Sequence, residues 1–154
     1  METTSLASQL RLAVNRTSRR MRQEGGGLSP SQHSALVSIE GLGPLTPSEL
    51  ASHERIQRPS ATRVIAKLEE AGLVERTADP NDGRSALIAI TPAGRDLLVQ
   101  VRHARDVYLE GRLQTLRPEE LATLQDAARI LERMLADGPD APTADRPESG
   151  PVVD

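Results

Sequence analysis

Proline stands at the start of a helical stretch five times in this chain, at Pro30, Pro47, Pro59, Pro92 and Pro118. Its fixed φ suits the first turn of a helix, and its missing N–H is no loss there. Ser29-Pro30-Ser31-Gln32 and Thr46-Pro47-Ser48-Glu49 add a capping box, in which a hydroxyl and a Gln or Glu three residues on satisfy each other's backbone N–H groups. The chain is therefore divided into short, separately capped helices. Leu6, Leu10, Ala13, Val14, Thr17 and Met21 recur at helical spacing and predict a first helix over about 4–23, ended by Gly25-Gly26-Gly27. A second helix runs from Ser29 to about Glu40, before Gly41-Leu42-Gly43-Pro44, and a third from Thr46 to about His53. The fourth starts near Gln57-Arg58-Pro59 and buries Val64, Ile65 and Leu68. Gly72 closes it in the left-handed conformation, with Leu73 packing back on the last turn.

The period then changes. Residues 73–77 and 85–90 read as two strands, and Asp79-Pro80-Asn81-Asp82-Gly83 between them is a cluster of turn formers, which makes a β-hairpin with a polar tip. Thr91-Pro92 opens a fifth helix to about residue 116, with Gly111 marking a bend. Arg117-Pro118-Glu119-Glu120 opens a sixth, striped by Leu121, Leu124, Ala128, Leu131 and Leu135. The fold class is mainly α with a small β-wing: six helices plus a hairpin, in winged helix-turn-helix order.

Composition removes whole classes of function. With no cysteine, disulfides, thiolate zinc sites and iron–sulfur clusters are excluded. Tyr108 is the sole aromatic residue, so the stacking platform of single-strand nucleic-acid binders is missing. No apolar run is long enough for a membrane span, and residues 1–24 lack a secretory signal, so a cytoplasmic protein with no membrane partner is expected. There is no P-loop and no G-x-S-x-G, and the adjacent Glu69 and Glu70 do not face each other on a helix, so no enzyme is expected. His33, His53 and His103 are too dispersed for a metal site, so no cofactor is expected. Residues 137–154 hold five acidic side chains against Arg146, a net of −4 within a formal total of −3, with proline, glycine and little apolar bulk. They read as a disordered acidic tail, either simply solvated or an acidic strand lying near a basic face.

A third and fourth helix joined by a short turn, with a hairpin directly after, suit double-stranded DNA. A helix fits the major groove, and its exposed side chains reach base edges. The exposed face of the fourth helix offers Arg58, Ser60, Thr62, Arg63 and Lys67. The stretch Leu68-Glu69-Glu70-Ala71-Gly72-Leu73-Val74-Glu75-Arg76, then Asp82-Gly83-Arg84 at the hairpin tip and Ile90-Thr91-Pro92-Ala93-Gly94, resembles the MarR (multiple antibiotic resistance regulator) family. The resemblance covers about residues 5–136. It implies a homodimeric winged-helix regulator of transcription that binds near-palindromic DNA, mostly as a repressor.

Carried onto this sequence, the resemblance makes the fourth helix the recognition helix, with Ser60, Thr62 and Arg63 at DNA-facing positions. It makes Arg84 the wing-tip arginine that enters the minor groove and Asp82 the acid that braces it. The family often has a second arginine where this chain has Gly83. Each residue also has a plainer role. Arg63 could be a solvated helix arginine, Ser60 and Thr62 local helix-start caps, and Arg84 half of an exposed ion pair with Asp82 worth about 0–1 kcal/mol. The five arginines of the first helix read as a solvated face or as phosphate contacts.

The apolar stripes of helices one, five and six exceed what one short chain buries, which predicts a homodimer through both ends of the chain. The domain plan is then residues 1–136 as one domain, with about 28–91 as the DNA-binding lobe and about 4–24 and 92–136 as dimerisation helices. A fifth helix of about 25 residues, about 37 Å long, would hold two recognition helices near one DNA turn apart. The resemblance also implies a small phenolic or drug-like effector between helices one, two and five, near Arg16, His33 and Tyr108. Tyr108 serves equally as a core or interface residue. With so little aromatic surface, a ligand-independent DNA-binding protein stays open, as does a winged helix that acts as a protein-interaction module.

Overall fold

The computed structural model describes residues 3–136. In chain order it contains α1 (Thr3–Gly25), α2 (Pro30–Leu42), α3 (Pro47–Glu54), α4 (Arg58–Glu70), β1 (Val74–Ala78), β2 (Ala86–Ile90), α5 (Pro92–Leu113) and α6 (Pro118–Ala136). The acidic tail lies outside the described residues. Two compact units are present, one ending at Gly111 and one beginning at Arg112.

Local chemistry sets the helix ends. Both capping boxes form: the Ser29 hydroxyl accepts from the Gln32 N–H and the Thr46 hydroxyl from the Glu49 N–H, and each side chain three residues on accepts in return. α1 continues to Gly25, beyond the expected end, because Gly26 is the first residue with a left-handed φ, at 47°. α4 stops at Glu70, and Gly72 at φ 72° lets the Leu73 N–H return to the Leu68 carbonyl at 2.9 Å. That bond keeps Leu73 out of the strand, so β1 begins one residue later than the alternation suggests. α5 runs through Gly111 and ends at Leu113, where Thr115 folds back and donates its hydroxyl to the Arg112 carbonyl at 2.7 Å.

The first unit is built around Leu36 and Ile39 of α2, Leu50 of α3, Ile65 and Leu68 of α4, and Ile88 of β2, all fully buried. Burying each side chain of this kind stabilises by about 1.5–3 kcal/mol relative to exposure. Val74 pairs with Ile90 and Ala78 with Ala86 in the antiparallel hairpin, and Leu45 exchanges both backbone hydrogen bonds with Ile88 at its edge. The hairpin is thereby anchored at its base while its tip, residues 79–85, projects. Glu54 at the end of α3 accepts from Ser34 at 2.6 Å and from Ser38, both on α2, which fixes α3 against α2.

The turn between α3 and α4 carries strain. Arg55 has φ 53° and ψ 42°, with its N–H bonded to the Ser52 carbonyl and the Ile56 N–H to the Ala51 carbonyl. Only glycine takes this conformation without steric cost. Arg55→Gly is expected to raise stability by about 0.5–1 kcal/mol, read as a higher urea midpoint with an unchanged m-value.

α5 starts at a crowded junction. The Thr91 hydroxyl donates to the Gly72 carbonyl at 2.7 Å and accepts from the Gly94 N–H at 3.1 Å, while the Thr91 N–H donates to the Leu73 carbonyl at 3.0 Å. One residue thus caps α5 and ties it to the end of α4 and the start of β1. In the second unit, Glu120 accepts from the Arg117 N–H at 2.9 Å and from its guanidinium at 3.1 Å, closing the start of α6. α1 and α6 contain no buried residue, although both are amphipathic.

Candidate nucleic-acid interface

α4 buries Ala61, Ile65 and Leu68, so the opposite side of the helix faces outward. Thr62, Arg63 and Lys67 are exposed there, Ser60 is half-buried at its flank, and Arg58 is exposed at the first residue of the helix. The start of α4 has no side-chain cap. It needs little capping, because Pro59 has no N–H and the Ser60 N–H already reaches the Gln57 carbonyl at 2.9 Å. The first turn therefore presents side chains without a cap in front of them.

The polar groups on this face differ in how far they are committed. Thr62 donates its hydroxyl to the Arg58 carbonyl at 3.0 Å, the local helix bond of its plainer role. Arg63 places Nε 3.4 Å from the Pro59 carbonyl, and neither of its terminal nitrogens has a partner among the described residues. Arg58 and Lys67 have no ion-pair partner among the described residues. Arg76 of β1 pairs with Glu69 at 2.9 Å, tying the wing to the last turn of α4.

At the wing tip, Asp79 accepts from the Asn81 N–H and Asp82 from the Arg84 N–H, at 2.9 and 3.0 Å. Asp82 therefore braces Arg84 through its backbone. The Arg84 guanidinium has no ion pair among the described residues, so the exposed Asp82–Arg84 pair is not formed. Gly83 has open space around it and no left-handed φ, so nothing in the backbone demands glycine there.

Two adjoining cavities of about 240 and 310 Å³ lie among α1, α2 and α5 and share Met21, His33 and Arg105. Arg16 and Tyr108 line neither one. Arg16 is on the exposed side of α1, and Tyr108 is half-buried one turn beyond Arg105. Arg105, which periodicity does not single out, lines both. Its Nη1 is 3.3 Å from His33 Nε2, and its Nε is buried without a hydrogen-bond partner. The α1 backbone comes so close here that a Cβ at Gly25 would sit 3.1 Å from Arg105 Nε. Burial, and then the Arg105 charge, lower the pKa of His33. Since folding disfavours the protonated ring, the unfolded chain binds more protons just below the ordinary histidine value of about 6.5. Stability should accordingly fall as pH drops through that value and level off once the folded-state ring is protonated. Chemical denaturation between about pH 7.5 and 5 checks this: the wild type should lose more stability than His33→Gln, and equal losses would contradict it.

Among the described residues no group of three His, Asp or Glu side chains is placed to hold a metal ion, and no helix is long and apolar enough to cross a membrane. A helix-turn-helix with an outward basic face, followed by a hairpin with an arginine at its tip, defines a winged helix-turn-helix DNA-binding protein. The MarR family model matches residues 28–86, which run from just before α2 to the first residue of β2. The chain is 41% identical over 136 residues to an uncharacterized HTH-type transcriptional regulator of Mycobacterium bovis, covering 87% of this chain and 95% of that protein. It is 32% identical over 100 residues to the multiple antibiotic resistance protein MarR of Salmonella typhimurium, covering 64% and 69%. The crystal structure of wild-type MarR from E. coli in its apo form is similar, with a TM-score of 0.66 at 25% identity, covering 84% of this chain and 96% of that one. The chain belongs to the MarR family: it is a DNA-binding transcriptional regulator and not an enzyme.

Proposed function

We propose that the chain acts as a homodimeric repressor that reads an inverted repeat in duplex DNA and is released by a small ligand. The observation that carries this reading is the pairing of an outward basic face on α4 with an unpaired arginine at the wing tip. In this reading Arg63 contacts base edges in the major groove, Ser60 and Thr62 add hydrogen bonds beside it, and Arg58 and Lys67 contact phosphate. Arg84 enters the adjacent minor groove, where a narrow A·T-rich groove attracts arginine. The dimer is supported by the apolar residues exposed on α1 and α6, among them Val14 at 49% and Leu135 at 70%. α5, 22 residues and so about 33 Å long, matches the spacing of half-sites one DNA turn apart.

The test is selection of bound duplexes from a random pool by the full chain, with sedimentation to give its mass. The reading expects a two-fold-symmetric consensus, a dimer of 16.6 kDa chains and affinity that falls steeply with salt. A monomer, or a pool that stays random, would overturn it.

The ligand part rests on the cavity around Arg105. An unpaired buried guanidinium nitrogen beside a neutral imidazole suits a small anion, and the cavity has room for about one ring. A ligand preferring a dimer with the wrong spacing would drain the DNA-competent population. Thermal shift across phenolic acids, metals and drugs checks this: stabilisation by acids that disappears in Arg105→Gln supports it, and no shift with any class sinks it. At the wing, Gly83→Arg adds a cation without steric conflict. It is expected to tighten DNA binding by about tenfold at low salt and to steepen the salt dependence by about one ion. An unchanged slope would place the wing tip away from the duplex.

A further inference from the structure

Lys67 is the only lysine among the 19 lysines and arginines of the chain. The others are guanidiniums, which stay charged and are poor nucleophiles. Lys67 is therefore the one side-chain amine that an electrophile can convert into a neutral group. Its position gives that conversion a consequence. It is exposed on the outward side of α4, opposite Ala61, Ile65 and Leu68. It forms no ion pair among the described residues, although Glu70 stands three positions on. Arg63 stands four positions before it, one helical turn away, which places the two Cβ atoms about 5–6 Å apart. The terminal nitrogens of Arg63 have no partner among the described residues either. A guanidinium fork holds a phosphate through two parallel hydrogen bonds, and an amine beside it is placed to attack a group that the phosphate carries.

We propose that Lys67 is an acylation site for a small acyl phosphate held by its phosphoryl group on Arg63, and that this modification removes a cation from the DNA-reading helix. The ammonium first releases one proton to solvent. The amine lone pair then attacks the acyl carbonyl carbon and a C–N bond forms. The bond between that carbon and the phosphate oxygen breaks, and inorganic phosphate leaves with the second amine proton. The product is a neutral amide, and no oxidant or reductant takes part. Of the three cations of α4, Arg58 and Arg63 remain charged. The loss matters because phosphate neutralisation by lysine and arginine supplies much of the affinity for duplex DNA. A bound duplex covers the same face, so the amine is protected while DNA is held, and a chain acylated when free rebinds more weakly. That effect rests on the DNA-binding reading above, but the acylation itself does not.

The test treats the full chain with acetyl phosphate and maps the product by peptide mass spectrometry. A neutral N-hydroxysuccinimide ester of acetic acid reports the plain exposure of the amine. The expected result is acetylation at Lys67 that the selected duplex slows. The ratio of acetyl phosphate to neutral ester rates should fall by about threefold or more in Arg63→Gln. Acetyl groups confined to the α-amino group, or a ratio that Arg63→Gln leaves unchanged, would overturn the site. Acetyl coenzyme A at the same concentration should react more slowly than acetyl phosphate, and an equal or faster reaction would overturn the acyl phosphate as donor. The acetylated chain should bind the selected duplex about fivefold more weakly, with a salt slope reduced by about one. Treatment should leave the affinity of Lys67→Arg where it was before treatment. Acetylation of Lys67 with unchanged duplex affinity would overturn the regulatory effect and leave the DNA-binding reading, which the untreated chain tests, intact.

Discussion

Gly94→Ala is expected to destabilise the chain by about 3 kcal/mol or more, and to lower its thermal midpoint by roughly 10 °C. A Cβ on Gly94 would lie 2.2 Å from the Leu73 carbonyl oxygen and 2.7 Å from Ile90 Cγ1. The first contact is with backbone, and that backbone has little room to retreat. The Leu73 carbonyl accepts from the Thr91 N–H, and the Leu73 N–H closes the end of α4. Moving α5 away instead would strain the Thr91 bonds to Gly72 and Gly94. Gly111→Ala is the control, because nothing lies within 4 Å of its added methyl. It should gain about 0.5–1 kcal/mol from helix propensity. A Gly94→Ala variant with the wild-type midpoint would contradict the packing of α5 on Leu73.

Arg63→Ala should cost about 1–3 kcal/mol on the selected duplex, roughly 5- to 150-fold in affinity, and should relax base preference. The backbone carbonyl near Nε restrains the stem of this side chain, so the fork of terminal nitrogens is partly oriented before DNA arrives. A bidentate donor of that kind discriminates guanine from the other bases in the major groove. Lys67→Ala, if Lys67 is a phosphate contact, should weaken selected and random duplexes alike and reduce the salt slope by about one. Fluorescence anisotropy of both variants on both duplexes separates the two roles. An equal loss on both duplexes for Arg63→Ala would move Arg63 to the phosphate group.

The helix order and the wing could be read in advance because their determinants are local. Ser29 and Thr46 cap residues three positions away, and Gly72 ends α4 through its own φ. Burial of Ile65 and Leu68 followed from spacing along one helix, and with it the outward side of α4. What could not be read depends on packing between distant segments. Arg105 meets His33 across 72 positions, and Glu54 meets Ser34 and Ser38 across a helix boundary. Periodicity says which face of a helix is apolar, not which polar group another helix places against it. Thr91 and Gly94 were visible as a cap and as part of a family motif. Their bonds to the end of α4 join residues that the hairpin separates in sequence, so spacing along one helix does not reveal them. The sequence pattern marks Arg84, but the choice of partner for Asp82, backbone N–H over guanidinium, is a matter of turn geometry that spacing alone does not specify.

The central claim is that α4 reads the major groove while the wing tip enters the minor groove on the same duplex. Nucleotide-resolution footprinting on the selected duplex tests it directly, with dimethyl sulfate reporting guanine N7 and hydroxyl radicals reporting the minor groove. The account expects N7 protection in two half-sites about 10 base pairs apart, lost in Arg63→Ala. It also expects flanking minor-groove protection, lost in Arg84→Ala. Protection that is uniform along the duplex, or that survives both substitutions, would contradict it.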